Sequence, residues 1–281
     1  MYLKDWLSSE GIERLLPLLL LIAVVAGVTY SRRQPLWAEA IRRLRRNRLA
    51  LFALAVIGLF YAVGIADGIG WRDSRSANFE TLLDRAFRGV PQERTYSAPF
   101  ARITTGEPEP QPLQGTHLLG TDGVGKDVLY RTLKGCRTAL MLAGLTTLFA
   151  TPLALLMGLL AGYFGKWVDD AIQYFYTVLQ SIPNILLLIA LLLVMGRGTL
   201  QLCIALGITS WVSLCRLTRG ESLKHRDRDY VRAARALGLS HARILVRHIL
   251  PNLLPVVIIS VTLSLSNLLL SEAILSYLGL G

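Results

Sequence analysis

Six runs of this chain are apolar enough, and near enough to 20 residues long, to cross a bilayer as helices. Nothing else in the sequence limits the fold as strongly. Inside hydrocarbon there is no water to satisfy backbone N–H and C=O groups, so a spanning segment must be a helix or part of a closed barrel. The runs are residues 15–30 (LLPLLLLIAVVAGVTY), 49–66 (LALFALAVIGLFYAVGIA), 138–162, 171–195, 199–217 and 252–270. Pro183 is expected to kink the fourth run, whose first half, AIQYFYTVLQS, is only half apolar and suits the inner interface. The expected fold class is therefore all-α, a polytopic helical membrane protein.

Charge supplies the orientation. Only 17% of the residues are charged, against about 25% in soluble domains, and 53% are hydrophobic. The net charge of +11 raises nucleic acid as a partner, but its distribution points to membrane lipid instead. Residues 31–48 carry seven Arg against Glu39, and residues 216–248 carry nine Lys or Arg against Glu221, Asp227 and Asp229. Those two segments alone hold a surplus larger than the whole chain's. Basic charge confined to short segments beside apolar runs is the inside-positive signature.

The residues before the first run (Lys4, Asp5, Glu10, Glu13, Arg14) are net acidic, unlike the positive start of a signal peptide. The Arg32–Arg33 pair follows the run, which orients it with the amino terminus outside. Run 49–66 then leads back out to a polar stretch, residues 67–130, with nine acids and seven bases and a Pro-rich extended part at 91–112. One feature runs against the bias: Arg131, Lys134 and Arg137 fall on the outer side just before a span.

Within the outer stretch, LLGTDGVGKDVL has the skeleton of a phosphate-binding P-loop, with Gly120, four residues, then Gly125-Lys126. Asp127 stands where that motif needs a Ser or Thr hydroxyl for magnesium. The preceding GEPEPQPLQGTH cannot form the buried strand from which a P-loop springs. A nucleotide hydrolase is not supported. Cys136, Cys203 and Cys215 show no C-x-x-C spacing, and the histidines, His241 and His248 among them, show no ligand spacing, so no metal site is expected. Glu272, near a membrane boundary, is either an intramembrane acid or an interfacial residue facing water.

The loop at residues 216–250 is the segment with a surface to offer. It reads as helix, turn, helix. Asp229 suits an N-cap, Tyr230 to Leu237 are helix formers, and Gly238 suits a left-handed C-cap. Ser240 opens a second helix to Leu250, and Pro251 starts the last span. Ala233, Ala234 and Ala236 are expected to make a small surface onto which another protein can close, with Arg232 and Arg235 at its rim. A solvated basic linker accounts for the composition as well. A DNA-binding helix-turn-helix does not suit a segment tethered between two spans.

YVRAARALGLSHARILVRHILPN resembles the EAA loop of ABC importer permeases, E-A-A-x-x-x-G followed at a fixed gap by I-x-L-P. Ala233, Ala234, Gly238, Leu250 and Pro251 stand in register; Arg232 replaces the Glu and His248 the Ile. HLLGTDGVGKDVLYRTLKGCRTAL, AGYFGKWVDD and SEAILSYLGLG are similar to further signatures of the dipeptide/oligopeptide/nickel branch. The resemblance covers roughly residues 117–281.

It implies a type I importer permease that pairs with a second homologous permease, two ATPase subunits and an external solute-binding protein. ATP and Mg would sit on the ATPases and no cofactor on this chain, which would be no enzyme. Tyr230, Arg232, Ala233, Ala234, Arg235 and Gly238 would form the coupling helix that docks on an ATPase, supported by His248, Leu250 and Pro251. The expected organisation is an added helix and basic segment (1–48), the first family helix (49–66), an external loop (67–130) and a permease core (131–281). The family pattern continues past LGLG with a proline-containing loop and a final helix, whereas this chain ends at Gly281. Two other classes compete. A secondary transporter or channel should show mid-span charges or repeats, and a membrane-bound enzyme a catalytic constellation.

Overall fold

The computed structural model describes residues 44–72, 79–105, 110–196 and 198–279. The run at 15–30, with the orientation expected for it, lies outside the described residues. Two compact units divide the chain, Met1–Met141 and Leu142–Gly281.

The first unit begins with helix α1 (Arg48–Gly68), whose open N–H groups at Leu49 and Ala50 are accepted by the Asn47 side chain. α1 is apolar all round, and only Gly64 and Asp67 are buried, as suits a helix whose solvent is lipid. A short antiparallel hairpin follows, β1 (Gly70–Arg72) with β2 (Phe79–Thr81), Gly70 opposite Thr81. Helix α2 (Leu82–Ala86) starts on a capping box between Thr81 and Asp84. Residues 87–105 and 110–127 then run as turns and isolated bridges to helix α3 (Val128–Phe164), which continues into the second unit.

The three bases expected on the outer side, against the charge bias, each meet an acid in this unit. Arg131 pairs with Asp122, Lys134 Nζ lies 2.6 Å from Asp84, and Arg137 Nη1 lies 3.7 Å from Asp67. Asp67 also accepts from the Thr81 hydroxyl at 3.0 Å.

In the second unit α3 is followed by α4 (Lys166–Gln180), α5 (Asn184–Met195), α6 (Thr199–Arg226), α7 (Asp229–Ala236) and α8 (His241–Ile244). A π-helical turn (Leu245–Ile249) joins α8 to α9 (Leu250–Tyr277). Pro251 explains that turn: it has no N–H, and its ring would strike the Arg247 carbonyl of a regular helix, so the preceding turn widens. α4 and α5 are bent by 83° at Ser181–Pro183, a full break where the sequence suggested a kink. Among the described residues four helices are long and apolar enough to cross a membrane, five if the bent pair is one span.

Close approach of α3 to α6 sets the core. A Cβ on Gly158 would lie 2.7 Å from the Cys215 carbonyl oxygen, and one on Gly162 would lie 2.5 Å from that of Arg219. This G-x-x-x-G pair lets two backbones touch where lipid offers no hydrophobic drive to bring them together. Trp211, Val212, Cys215, Tyr163 and Tyr176 fill the core beside it, joined by Val231 and Ala234 of α7 and by Ile244, Ile249 and Leu253.

Candidate functional site

The basic loop folds as the helix, turn and helix expected, with a local difference at its start. α7 begins at Asp229 itself. The N-cap is Arg228, which makes no side-chain cap, so Asp229 sits in the first turn and acts through its charge on the helix end. At the far end Gly238 has φ +75°, the left-handed conformation expected of a C-cap glycine. Its N–H donates to the Arg235 carbonyl and the Leu239 N–H to that of Ala234. Ser240 stands at the N-cap of α8 without a side-chain cap bond.

The alanines do not share one surface. Val231 and Ala234 are 0% and 4% exposed and pack into the chain's own core, whereas Ala233 and Ala236 face outward. The reason is helical geometry: residues three apart share a face, so Val231 carries Ala234 inward with it. Arg232 and Gly238 are also exposed, and Leu237, 81% exposed at the tip, was not singled out from the sequence. A large aliphatic beside the capping glycine of a turn was the readable signal.

Polar contacts brace this turn from behind. Arg235 Nε donates to Tyr163 Oη at 3.3 Å, and its guanidinium lies 4.9 Å from the ring centroid. Tyr163 Oη in turn lies 2.8 Å from His241 Nδ1. Tyr230 Oη lies 2.6 Å from His225 Nδ1, tying α7 to the end of α6. Arg235, expected at a rim facing a partner, makes these contacts while its side chain stays exposed. Of the support residues, Leu250 packs at the edge of the core and the His248 carbonyl accepts from the Asn252 side chain at 2.6 Å. Pro251 is exposed and acts through its ring, as described above. The buried anchors are Ile244, Ile249 and Leu253.

The P-loop look-alike has a different job. Gly120 and Gly125 have φ +75° and +74°, and the space for a Cβ is taken by the carbonyl oxygens of Ser97 and Glu93. The N–H groups of Val124 and Lys126, which in a P-loop would cradle phosphate, both donate to the Asp122 carboxylate at 2.9 Å. Asp127 accepts from the Tyr130 N–H at the start of α3 and lies 2.8 Å from His117 Nδ1. His117 Nε2 faces Glu93 at 3.3 Å, all three being buried. The motif clamps the segment that precedes α3 and seats that helix, with the Val124 and Lys126 N–H groups taken by the chain's own acid. Burial resists ionisation of nearby Asp84, but hydrogen bonds from Lys134, Tyr130 and Thr81 prevail and lower its carboxyl to about 2.

Elsewhere, Glu272 is half-buried on α9. The described residues hold no cluster of three or more His, Cys, Asp or Glu arranged for a metal.

Comparison with known proteins gives concordant matches. The family described as binding-protein-dependent transport system inner membrane component matches residues 154–281. The N-terminal TM domain of oligopeptide transport permease C matches residues 35–69. A dipeptide transport system permease, DppC of Alkalihalophilus pseudofirmus, is 30% identical over 245 residues, 87% of this chain and 72% of that protein. The oligopeptide transport system permease OppC of Bacillus subtilis is 28% identical over 246 residues, 88% of this chain and 72% of its own length. A solved structure of the MetNI methionine ABC transporter in an inward-facing conformation overlaps 51% of this chain and 72% of its own at 20% identity, TM-score 0.45. With the family model matched over residues 154–281, the N-terminal TM domain over residues 35–69 and a 30% identical relative covered to 72%, this chain belongs to the inner-membrane permease family of binding-protein-dependent ABC importers, in its dipeptide and oligopeptide branch.

Proposed function

We propose that this permease carries peptides or related small solutes inward, and that loop 216–250 is where it receives force from an ATPase. In this reading a second homologous permease completes the path, two ATPase subunits carrying ATP and Mg bind the cytoplasmic side, and an external solute-binding protein delivers the cargo. This chain holds no cofactor and does no hydrolysis. Residues 67–130 form its external portion.

One observation carries the docking assignment: α7 is fixed on one face and open on the other. Val231 and Ala234 anchor it in the core, and Arg235 and Tyr230 brace it. Arg232, Ala233, Ala236 and Leu237 stay exposed. A short helix held this way transmits displacement as a rigid body, and alternating access needs such a link between the ATPases and the spans. Tyr230, Arg235 and Ala234 then act as its mounting, with Arg232, Ala233 and Leu237 as the contact and Gly238 as the turn that aims it. A solvated linker would need neither the buried anchors nor the stacked arginine.

Burying Leu237 in an ATPase cleft is worth about 2 kcal/mol, or roughly thirtyfold in affinity. The test is co-purification of the ATPase with Leu237→Asp and Ala233→Glu at matched membrane levels. Loss of the ATPase supports docking here, and wild-type recovery for both variants excludes it.

A further inference from the structure

The turn from α3 to α4 holds two consecutive residues in the left-handed region, Gly165 at φ +64° and Lys166 at φ +50°. Glycine takes that conformation freely, but a residue with a Cβ is strained there. The backbone therefore gives no reason for a lysine at the second position. Neither do its surroundings in the chain: Lys166 is exposed, and its ammonium makes no ion pair among the described residues.

Its level in the membrane gives one. The apolar run of α3 ends at residue 162, four residues before Lys166, which at 1.5 Å per residue is about 6 Å. The headgroup layer on each side of the hydrocarbon is about 5–7 Å thick, so Lys166 stands level with lipid phosphates. Trp167 follows at 77% exposure, and Tyr174 and Val178, seven and eleven residues on, share its helix face and are also exposed. The opposite face of α4 sends Tyr176 into the core and Asp169 to Arg219. An indole at headgroup level, with apolar side chains running on from it, is the pattern of a helix face that meets lipid.

Further cations surround the turn. A Cβ on Gly165 would lie 2.9 Å from Arg226 Nη1. The rings of Phe164 and His241 meet at 5.7 Å between centroids, and Arg243 stands two residues beyond His241, exposed and without an ion pair among the described residues. Of the nearby acids, Asp169 is held by Arg219, Asp227 lies 3.6 Å from Arg226, and Asp170 is exposed. Lys166, Arg226 and Arg243 outnumber the two that Arg219 does not hold.

We propose that the α3–α4 turn binds the headgroup of an anionic phospholipid. Lys166 and Arg243 meet its phosphate, and Trp167 lies against the upper part of its acyl chains. The strained backbone at Lys166 is kept because the lipid uses the charge presented there. A soluble partner could reach the cations, but Tyr174 and Val178 lie further along the α4–α5 span, where only lipid or another span can cover them. The assignment does not depend on what the permease carries.

The test uses the assembled complex in proteoliposomes of phosphatidylcholine doped with photoactivatable phosphatidylglycerol or photoactivatable phosphatidylcholine. Crosslinks are mapped by peptide mass spectrometry. In wild type the segment carrying Trp167 is expected to capture the anionic lipid about fivefold more than the zwitterionic one, the effect of one well-placed cation at a membrane surface. Lys166→Gly removes the charge and relieves the backbone together. It is expected to accumulate at least as well as wild type, while its anionic capture falls to the phosphatidylcholine level. Arg243→Gln leaves the turn's backbone alone; it is expected to lower anionic capture severalfold, and carries the comparison if the glycine variant does not accumulate. Excess inorganic phosphate should leave capture unchanged. Equal capture of the two lipids in wild type, undiminished anionic capture in the variants, or displacement by inorganic phosphate overturns the proposal. So does loss of the ATPase from the Lys166→Gly complex, which would mark the turn as a protein contact.

Discussion

Arg219 grips Asp169 through two hydrogen bonds, Nε to Oδ1 at 2.5 Å and Nη2 to Oδ2 at 2.7 Å, both side chains being mostly buried. The pair joins α6 to α4 at the glycine contact of α3 with α6, where Gly162 meets the Arg219 carbonyl, and at the end of α6 that leads into the proposed docking loop. Only the planar guanidinium fork fits two carboxylate oxygens at once.

Asp169→Asn should therefore cost about 2 kcal/mol, since it leaves Arg219 half-buried with one neutral acceptor. Arg219→Lys should cost a similar amount despite keeping the charge. Thermal unfolding of the purified complex is the readout, with a drop of about 5 °C expected for each. An unchanged midpoint in both would show that the pair adds nothing net.

The α3–α6 contact is less forgiving. Gly162→Leu places a Cβ against the Arg219 carbonyl oxygen and the Ser222 Cβ, at 2.5 and 2.6 Å, so backbone must move. About 3 kcal/mol or more is expected, and the variant should fail to accumulate in the membrane. Gly220→Ala, with nothing within 4 Å of its Cβ, should accumulate normally. Equal levels of the two would contradict the close contact.

Much of this is legible in the sequence. Apolar runs mark the spans because lipid forces each one to satisfy its own backbone. Gly238 is readable because few residues other than glycine accept its turn. The pairing of Arg131, Lys134 and Arg137 is not, since Asp122, Asp84 and Asp67 come from separate segments that only the folded chain brings together. Ala234 departs from expectation for a related reason: three small residues in a short helix look alike until Val231 shows which face is buried. Gly158 and Gly162 stand at the right spacing, but the spacing alone does not say which helix they meet.

In the segment between α1 and α3, acid should loosen the ties around Asp84. Its folded carboxyl is lowered to about 2, below the ordinary unfolded value of about 4, so its contribution is complete above pH 4 and lost as pH falls toward 2. Proteolysis of the 67–130 segment should rise across that window in wild type. Asp84→Asn should start higher at neutral pH and change less with acid. Identical profiles would remove Asp84 from the account.

The glycines of the P-loop look-alike should matter more than its lysine. Gly125→Ala meets the Glu93 carbonyl and a positive φ together, and should expose the segment to protease and reduce uptake. Lys126 is exposed and contributes its backbone N–H, so Lys126→Ala should leave ATP hydrolysis by the complex and uptake near wild type. Loss of hydrolysis with Lys126→Ala would return the motif to nucleotide chemistry.

The coupling assignment is tested most directly by the ratio of solute taken up to ATP hydrolysed in Gly238→Val. The position has φ +75° and nothing within 4 Å of where a Cβ would stand, so Val acts through the backbone alone, at about 1 kcal/mol or more. The protein should stay in the membrane at wild-type levels while the turn re-aims α7. The account predicts that uptake per ATP falls severalfold, or that the ATPase no longer co-purifies. A wild-type ratio with the ATPase still bound would contradict it.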